Sequence, residues 1–319
     1  MKVAVVGVGA VGGYFGGLLA KGGADVTFIA RGERLEALRA RGLTIKSGKG
    51  DFSIRVRATD DPAEVGPVNL VLFCVKSYDT ESAIRQALPM VGQETVVLSL
   101  QNGIDNEEKI ASFVGKEKVL AGVAYIGASV LEPGVVCHQE SGRIVFGEVA
   151  GGVSDRVTNL KAFFDRYGLP AEGSPDMKKI LWAKLAWNAP FNAINTLVGG
   201  PVKAIIENPH TFELARRVTA EVVTVANASG VHLAFAEVWE RNIQFSQGYD
   251  VKTSMLQDLE AGKRLEYEAL NGVIIKKADE LGLPTPGNFA LYALLSGLQI
   301  TSSAAHQVSR SDAKNSCPS

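Results

Sequence analysis

The hexamer Gly7-Val8-Gly9-Ala10-Val11-Gly12 constrains this chain more than any other stretch, because of what stands on either side of it. Before it, Lys2–Val6 is a short apolar, valine-rich run that reads as a buried strand. After it, Ala10–Lys21 carries helical spacing, and Asp25–Ala30 reads as a second strand. A glycine-rich hexamer alone says little in a chain with 34 glycines. Between a strand and a helix it is a dinucleotide-binding fingerprint. Gly7 makes the tight turn, Gly9 lets backbone approach a diphosphate, and Gly12 permits close helix–strand packing. The diphosphate then sits at the positive end of the helix. All six residues, Gly7, Val8, Gly9, Ala10, Val11 and Gly12, are therefore candidate cofactor contacts.

The end of the second strand bears on which dinucleotide. An Asp or Glu there would bind a ribose 2′-hydroxyl. This chain has Phe28-Ile29-Ala30-Arg31-Gly32, and Arg31 can pair with a 2′-phosphate through charge-assisted hydrogen bonds. NADPH is the expected cofactor, with Glu33 close enough to keep NAD open.

Further along, strand-like runs at Asn69–Val75 and Thr95–Leu100 alternate with helical patterns, without polar alternation. A parallel sheet covered on both faces is expected. A hairpin is expected at Leu43–Lys46 and Phe52–Val56, and extra strands from Val119 to Phe146 with turns at Glu132-Pro133-Gly134 and Ser141-Gly142. Ser154–Tyr167 reads as a helix. Beyond Asp176 the strand signal all but vanishes. Helical spacing covers Met177–Leu197, Thr211–Ser229, Ala234–Phe245, Arg264–Leu281 and Asn288–Gln299. The fold class is α/β: a Rossmann-type doubly wound sheet over residues 1–174, then an all-helical substrate and catalytic domain over 175–300. A flexible tail is expected over 301–319.

Bulk properties exclude several classes. The formal net charge of −1 gives no electrostatic case for nucleic acid or an anionic membrane. Cys74, Cys137 and Cys317 are scattered and only four histidines are present, so no metal site is expected. No run approaches the roughly 20 apolar residues of a membrane span, nor does a signal peptide follow Met1-Lys2. A cytoplasmic address is expected. Phe212, Val238, Trp239 and Phe245 form either a core or a homodimer face.

The segment Ile180–Asn192 is apolar around most of its circumference, which implies a helix buried on several sides. Its polar members Lys184, Asn188 and Asn192 are four apart and share one stripe. A lysine is costly to bury alone, so the stripe faces either a polar partner or a ligand cleft. Pro190 removes the helical hydrogen bond to the Ala186 carbonyl and predicts a kink. A second polar cluster runs from Thr253 and Ser254 to Asp258, and Glu266 opens the next helical run.

Taken together these fragments resemble the ketopantoate reductase family across nearly the whole chain. The likeness is carried by Gly7–Gly12, Lys76, Gln101-Asn102-Gly103, Leu181-Trp182-x-Lys184-Leu-Ala-x-Asn188, Asn192, Ser254-Met-Leu-Gln-Asp258, and Glu266 with Asn271-Gly272. The resemblance implies NADPH-dependent reduction of a small 2-keto acid, 2-dehydropantoate to pantoate, on the route to pantothenate and coenzyme A. It implies Lys184 as general acid and Glu266 as its acidic partner, with Glu266 also on the cofactor side. It implies Lys76 and Asn102 at the nicotinamide end, and Asn102, Asn188, Asn192 and Ser254 as substrate contacts. The chain departs from the family at Asn192-Ala193-Ile194-Asn195-Thr196, where Asn-Pro-Leu-Thr is frequent. It departs again at Leu197–Pro201 and at Lys263-Arg264-Leu265. All three lie on the substrate side. A relative acting on another acid, mandelate-type or branched-chain, stays open, and so does a non-catalytic NADP-binding sensor.

Overall fold

A computed structural model describes residues 1–247 and 251–315, with side chains as far as 302. Two compact units divide between Leu181 and Trp182.

The first unit is built on one mixed sheet. Its strands are β1 (Lys2–Val6), β2 (Asp25–Ile29), β3 (Leu43–Ser47), β4 (Phe52–Ile54), β5 (Arg57–Thr59), β6 (Val68–Phe73), β7 (Val91–Ser99), β8 (Val119–Glu132), β9 (Val135–Glu148) and β10 (Ala171–Gly173). They lie in the order β4-β3-β9-β8-β7-β6-β1-β2-β5, with β10 beside β9. Strands β5, β2, β1, β6, β7 and β8 run parallel, and the β8–β9 pair is antiparallel. Strands β3 and β4 form the antiparallel pair expected of the hairpin.

Alternation in β1 and β6 shows why Val3–Val6 and Leu70–Phe73 are unbroken apolar runs. Val3, Val5, Leu70 and Leu72 enter one core cluster, and Ala4, Val6, Val71 and Phe73 the other. Both faces are buried along these runs, and the polar residues Lys2 and Asn69 fall outside them, near the strand starts. Helices α1 (Ala10–Lys21), α2 (Gly32–Arg41) and α6 (Asp155–Arg166) send Phe15, Leu19, Leu35, Leu38 and Phe164 to the first cluster. Between α2 and α6 come α3 (Pro62–Val65), α4 (Thr80–Ala87) and α5 (Asn106–Val114). Helices α4 and α5 send Ile84, Ala87, Ile110 and Val114 to the second cluster.

Ser141-Gly142 is not the expected turn. Both residues have positive φ, 61° and 96°, inside β9, where the register against β8 shifts. This is a bulge, and a side chain at Gly142 would meet the Tyr14 hydroxyl of α1 at 2.6 Å.

The second unit contains only helices among its described residues. Helix α7 (Met177–Val198) leads into α8 (Lys203–Glu207), α9 (Pro209–Ala228), α10 (Phe235–Gln247), α11 (Ser254–Glu260), α12 (Val273–Leu281) and α13 (Pro286–Asn315). The division falls seven residues beyond the expected 174/175 boundary, because Met177 and Leu181 of α7 pack with Ala121, Val123 and Val145 of the sheet. The segment expected to be a flexible tail from Thr301 is helical as far as Asn315, and 316–319 lie outside the described residues.

Helix α7 spans Pro190 without interruption. The Ala186 carbonyl, which loses its helical donor to the proline, accepts instead from Asn242 Nδ2 at 3.0 Å and Thr219 Oγ1 at 3.3 Å. The next helical run was expected to begin at Arg264. Arg264–Glu266 are not helical, and a π-helical turn at Glu268–Gly272 precedes α12. Of the four aromatic and aliphatic residues left open above, Val238 is buried, and Phe212 packs edge-on to Trp239 with centroids 5.3 Å apart. No helix of the described residues is long and apolar enough to cross a membrane.

Candidate active site

In the first unit the three fingerprint glycines meet different constraints. Gly7 has φ 94°, and a Cβ there would lie 2.6 Å from the Val75 amide nitrogen. At Gly12 a Cβ would strike the Gly7 carbonyl at 2.2 Å and come within 3.1 Å of Val5 Cγ1, so this glycine lets α1 pack closely on β1 and the turn after it. Gly9 differs: a Cβ there meets nothing within 4 Å. It is the N-cap of α1 and offers no side-chain oxygen to the first-turn amides. The surroundings therefore fit a diphosphate, with donors at a helix N-terminus and room on the ligand side.

Arg31 lies two residues past the end of β2, is exposed, and is the N-cap of α2. Its position past the end of the second parallel strand is where a ribose substituent is read in this fold. Three residues on, the Arg34 Nε is buried without a hydrogen-bond partner among the described residues.

Lys76 and Asn102 follow β6 and β7, the two strands next to β1 on the side away from β2. Both are half-buried, at the carboxyl ends where open α/β sheets bind ligands. Behind Asn102 the chain turns at Gly103 (φ 108°) into α5, whose Asn106 donates from Nδ2 to the Asn102 carbonyl at 2.7 Å. Glu107, the next residue, is buried at 4% exposure, and burial pushes its carboxyl up to about 7.

In the second unit Lys184, Asn188 and Asn192 ride on α7 as the spacing predicts. Asn188 and Asn192 are 5% and 3% exposed, and Lys184 is half-buried. Burial draws the Lys184 ammonium down to about 8, and the Glu266 carboxylate opposes that drop. Glu266 is itself 6% exposed and lies immediately before the helical turn at 267–272. The Asn271 amide in that turn donates to the Ala189 carbonyl of α7 at 3.1 Å, which ties the Glu266 segment to the lysine helix.

Ser254 is the first residue of α11 and is exposed. Two residues with no site role predicted from the sequence hold it there. Thr253 caps α11, its hydroxyl accepting from the Leu256 amide. Asn195 Oδ1 accepts from both the Thr253 amide and the Thr253 hydroxyl, each at 3.0 Å. The signal available in the sequence was the polar residue itself on an otherwise apolar helix. No group of three or more His, Cys, Asp or Glu side chains suited to a metal ion occurs among the described residues.

A family model described as "Ketopantoate reductase PanE/ApbA" matches residues 3–151, and its C-terminal counterpart matches 176–299. A 2-dehydropantoate 2-reductase of Pyrococcus horikoshii is 37% identical over 92% of this chain and 96% of its own. Among solved structures, a PanE/ApbA family ketopantoate reductase from Ralstonia eutropha is 36% identical with TM-score 0.87, covering 95% of this chain and 99% of its own. D-mandelate dehydrogenase in a ternary structure with NADH and anilino(oxo)acetate shares the fold, at TM-score 0.90 and 23% identity, over 95% of this chain and 99% of its own.

Proposed function

The chain belongs to the ketopantoate reductase family of oxidoreductases, and from that premise we propose that it reduces 2-dehydropantoate to pantoate with NADPH, using Lys184 as general acid. The reaction belongs to the route to pantothenate and coenzyme A, and its proposed setting is the cytoplasm. What carries this reading is one buried-side lysine, Lys184, held at about 8 by opposing effects of burial and Glu266. Such a lysine is mostly protonated near neutral pH and still gives up its proton readily.

When bound, the nicotinamide supplies the hydride. The protein's part is to manage charge and position. As the ketone carbon gains hydride, its oxygen gains negative charge, which the Lys184 ammonium stabilises before transferring a proton to it. Glu266 keeps that ammonium charged in a desolvated setting. Asn188, Asn192 and Ser254 offer donors for the substrate carboxylate and hydroxyl. In the first unit Gly7, Val8, Gly9, Ala10, Val11 and Gly12 would hold the diphosphate, and Arg31 the 2′-phosphate. Lys76 and Asn102 would hold the nicotinamide end, and Asn102 would also contact substrate.

One observation favours a second reading in which the acid differs. Asn195 stands where family members often have Thr, and its amide is committed to Gly200 and Thr253. A changed residue at that point bears on the substrate side. NADPH oxidation with 2-dehydropantoate against a panel of aromatic and branched 2-keto acids decides between the two. Turnover of another acid with none of 2-dehydropantoate would replace the leading reading.

A further inference from the structure

Two loops of the first unit, one after β6 and one after β7, are stitched together by side chains outside the assigned set. Thr80 opens α4 just beyond Lys76-Ser77, and Asn106 opens α5 just beyond Asn102-Gly103. The Thr80 hydroxyl accepts from Gln101 Nε2 at 2.7 Å and lies 2.8 Å from the Ser77 carbonyl and 3.1 Å from Asn106 Oδ1. Asn106 passes the connection on, donating from Nδ2 to the Asn102 carbonyl at 2.7 Å. Because Nδ2 must face that carbonyl, Oδ1 faces Thr80, and the amide has one workable orientation. Thr80 and Asn106 are each 1% exposed and Gln101 is 5% exposed, so water cannot replace a lost partner cheaply.

We propose that Thr80 is a positioning residue for hydride transfer, its hydroxyl fixing the Lys76 loop and the Asn102 loop in a single mutual register through Gln101 and Asn106. The proposal rests on the reading that Lys76 and Asn102 attend the nicotinamide end. A lone hydroxyl serves here because it is both acceptor and donor. It accepts the hydrogen bond from Gln101 Nε2 and directs its own proton toward the Ser77 carbonyl or the Asn106 amide oxygen. Valine has the same shape and neither capacity.

The test compares Thr80→Val and Thr80→Ser with the wild type, by steady-state kinetics, by the primary isotope effect with deuterated NADPH, and by thermal melting. Failure of the wild-type protein to oxidise NADPH with any 2-keto acid of the panel would overturn the reading beneath the proposal, without reference to Thr80. Given wild-type turnover, Thr80→Val should lower kcat at least tenfold and enlarge the isotope effect. Thr80→Ser should stay within about threefold of wild type. Wild-type kcat and isotope effect in Thr80→Val would overturn the proposal, whatever its melting temperature, and so would equal losses in Thr80→Ser and Thr80→Val. If Thr80→Val does not fold, Asn106→Asp sets an oxygen against the Asn102 carbonyl. It should show the same kinetic signature, and wild-type kinetics there would overturn the proposal.

Discussion

Asn195 and Thr253, 58 residues apart in sequence, meet through a doubly accepting amide oxygen. The Asn195 Nδ2 is engaged as well, donating to the Gly200 carbonyl at 3.0 Å, so the side chain has no freedom to rotate. Ser254 follows Thr253 directly, so this contact with α7 helps to fix its place at the start of α11. Asn195→Leu should therefore raise the KM for the keto acid several-fold through Ser254, with a smaller effect on NADPH. It should also cost about 1–3 kcal/mol of stability by stranding a buried donor. Urea unfolding and separate KM determinations check both parts.

Lys184 must be protonated to act as an acid. Its value of about 8 lies below the ordinary lysine range, so reduction should decline as pH rises through about 8, and oxidation of the hydroxy acid should gain over the same interval. Glu266→Gln removes the group that raises this value, and the decline should move to lower pH. A pH–rate profile for kcat/KM in both proteins measures the shift. A midpoint unmoved by Glu266→Gln would separate the two residues.

Arg31→Ala should weaken NADPH binding by about tenfold to a hundredfold and leave NADH nearly unchanged. A charge-assisted pairing with a phosphate contributes roughly 1.5–3 kcal/mol, and only one of the two cofactors has that phosphate. Fluorescence titration with each cofactor is the direct measurement.

Glu107 gives a stability signature with a defined sign. Its folded value of about 7 exceeds the unfolded value near 4.5, so the native state binds the extra proton between those limits. Stability attributable to this group is intact below about 4.5, falls as pH rises, and is fully lost above about 7. Glu107→Gln cannot ionise, so its melting temperature should exceed that of the wild type at pH 8 and converge with it near pH 5. The difference at pH 8 is bounded by about 3 kcal/mol. Calorimetry at the two pH values suffices.

The parts of this fold that the sequence announces are those written in consecutive residues. Strand β1 is legible because Val3 to Val6 are all apolar, and the glycine turn because three glycines have fixed offsets. The lysine stripe shows through because Lys184, Asn188 and Asn192 repeat at the helical period. What stays hidden depends on residues far apart. Nothing near Ala186 tells that Asn242 and Thr219 will take up the carbonyl that Pro190 frees. The bulge at Ser141-Gly142 looks like any turn until its partner strand is known, and the π turn before α12 keeps the apolar pattern of an ordinary helix. Thr80 and Asn106 show neither period nor motif, since their meaning lies in two strands being neighbours.

The three fingerprint glycines impose their demands at different stages in the life of the molecule. A methyl group at Gly7 or Gly12 collides with backbone already in place, so such a variant fails while the chain is folding. At Gly9 the methyl group meets empty space, and the folded protein has no objection to it. That glycine answers only to a visitor, and its alanine variant should be an intact molecule unable to receive a dinucleotide.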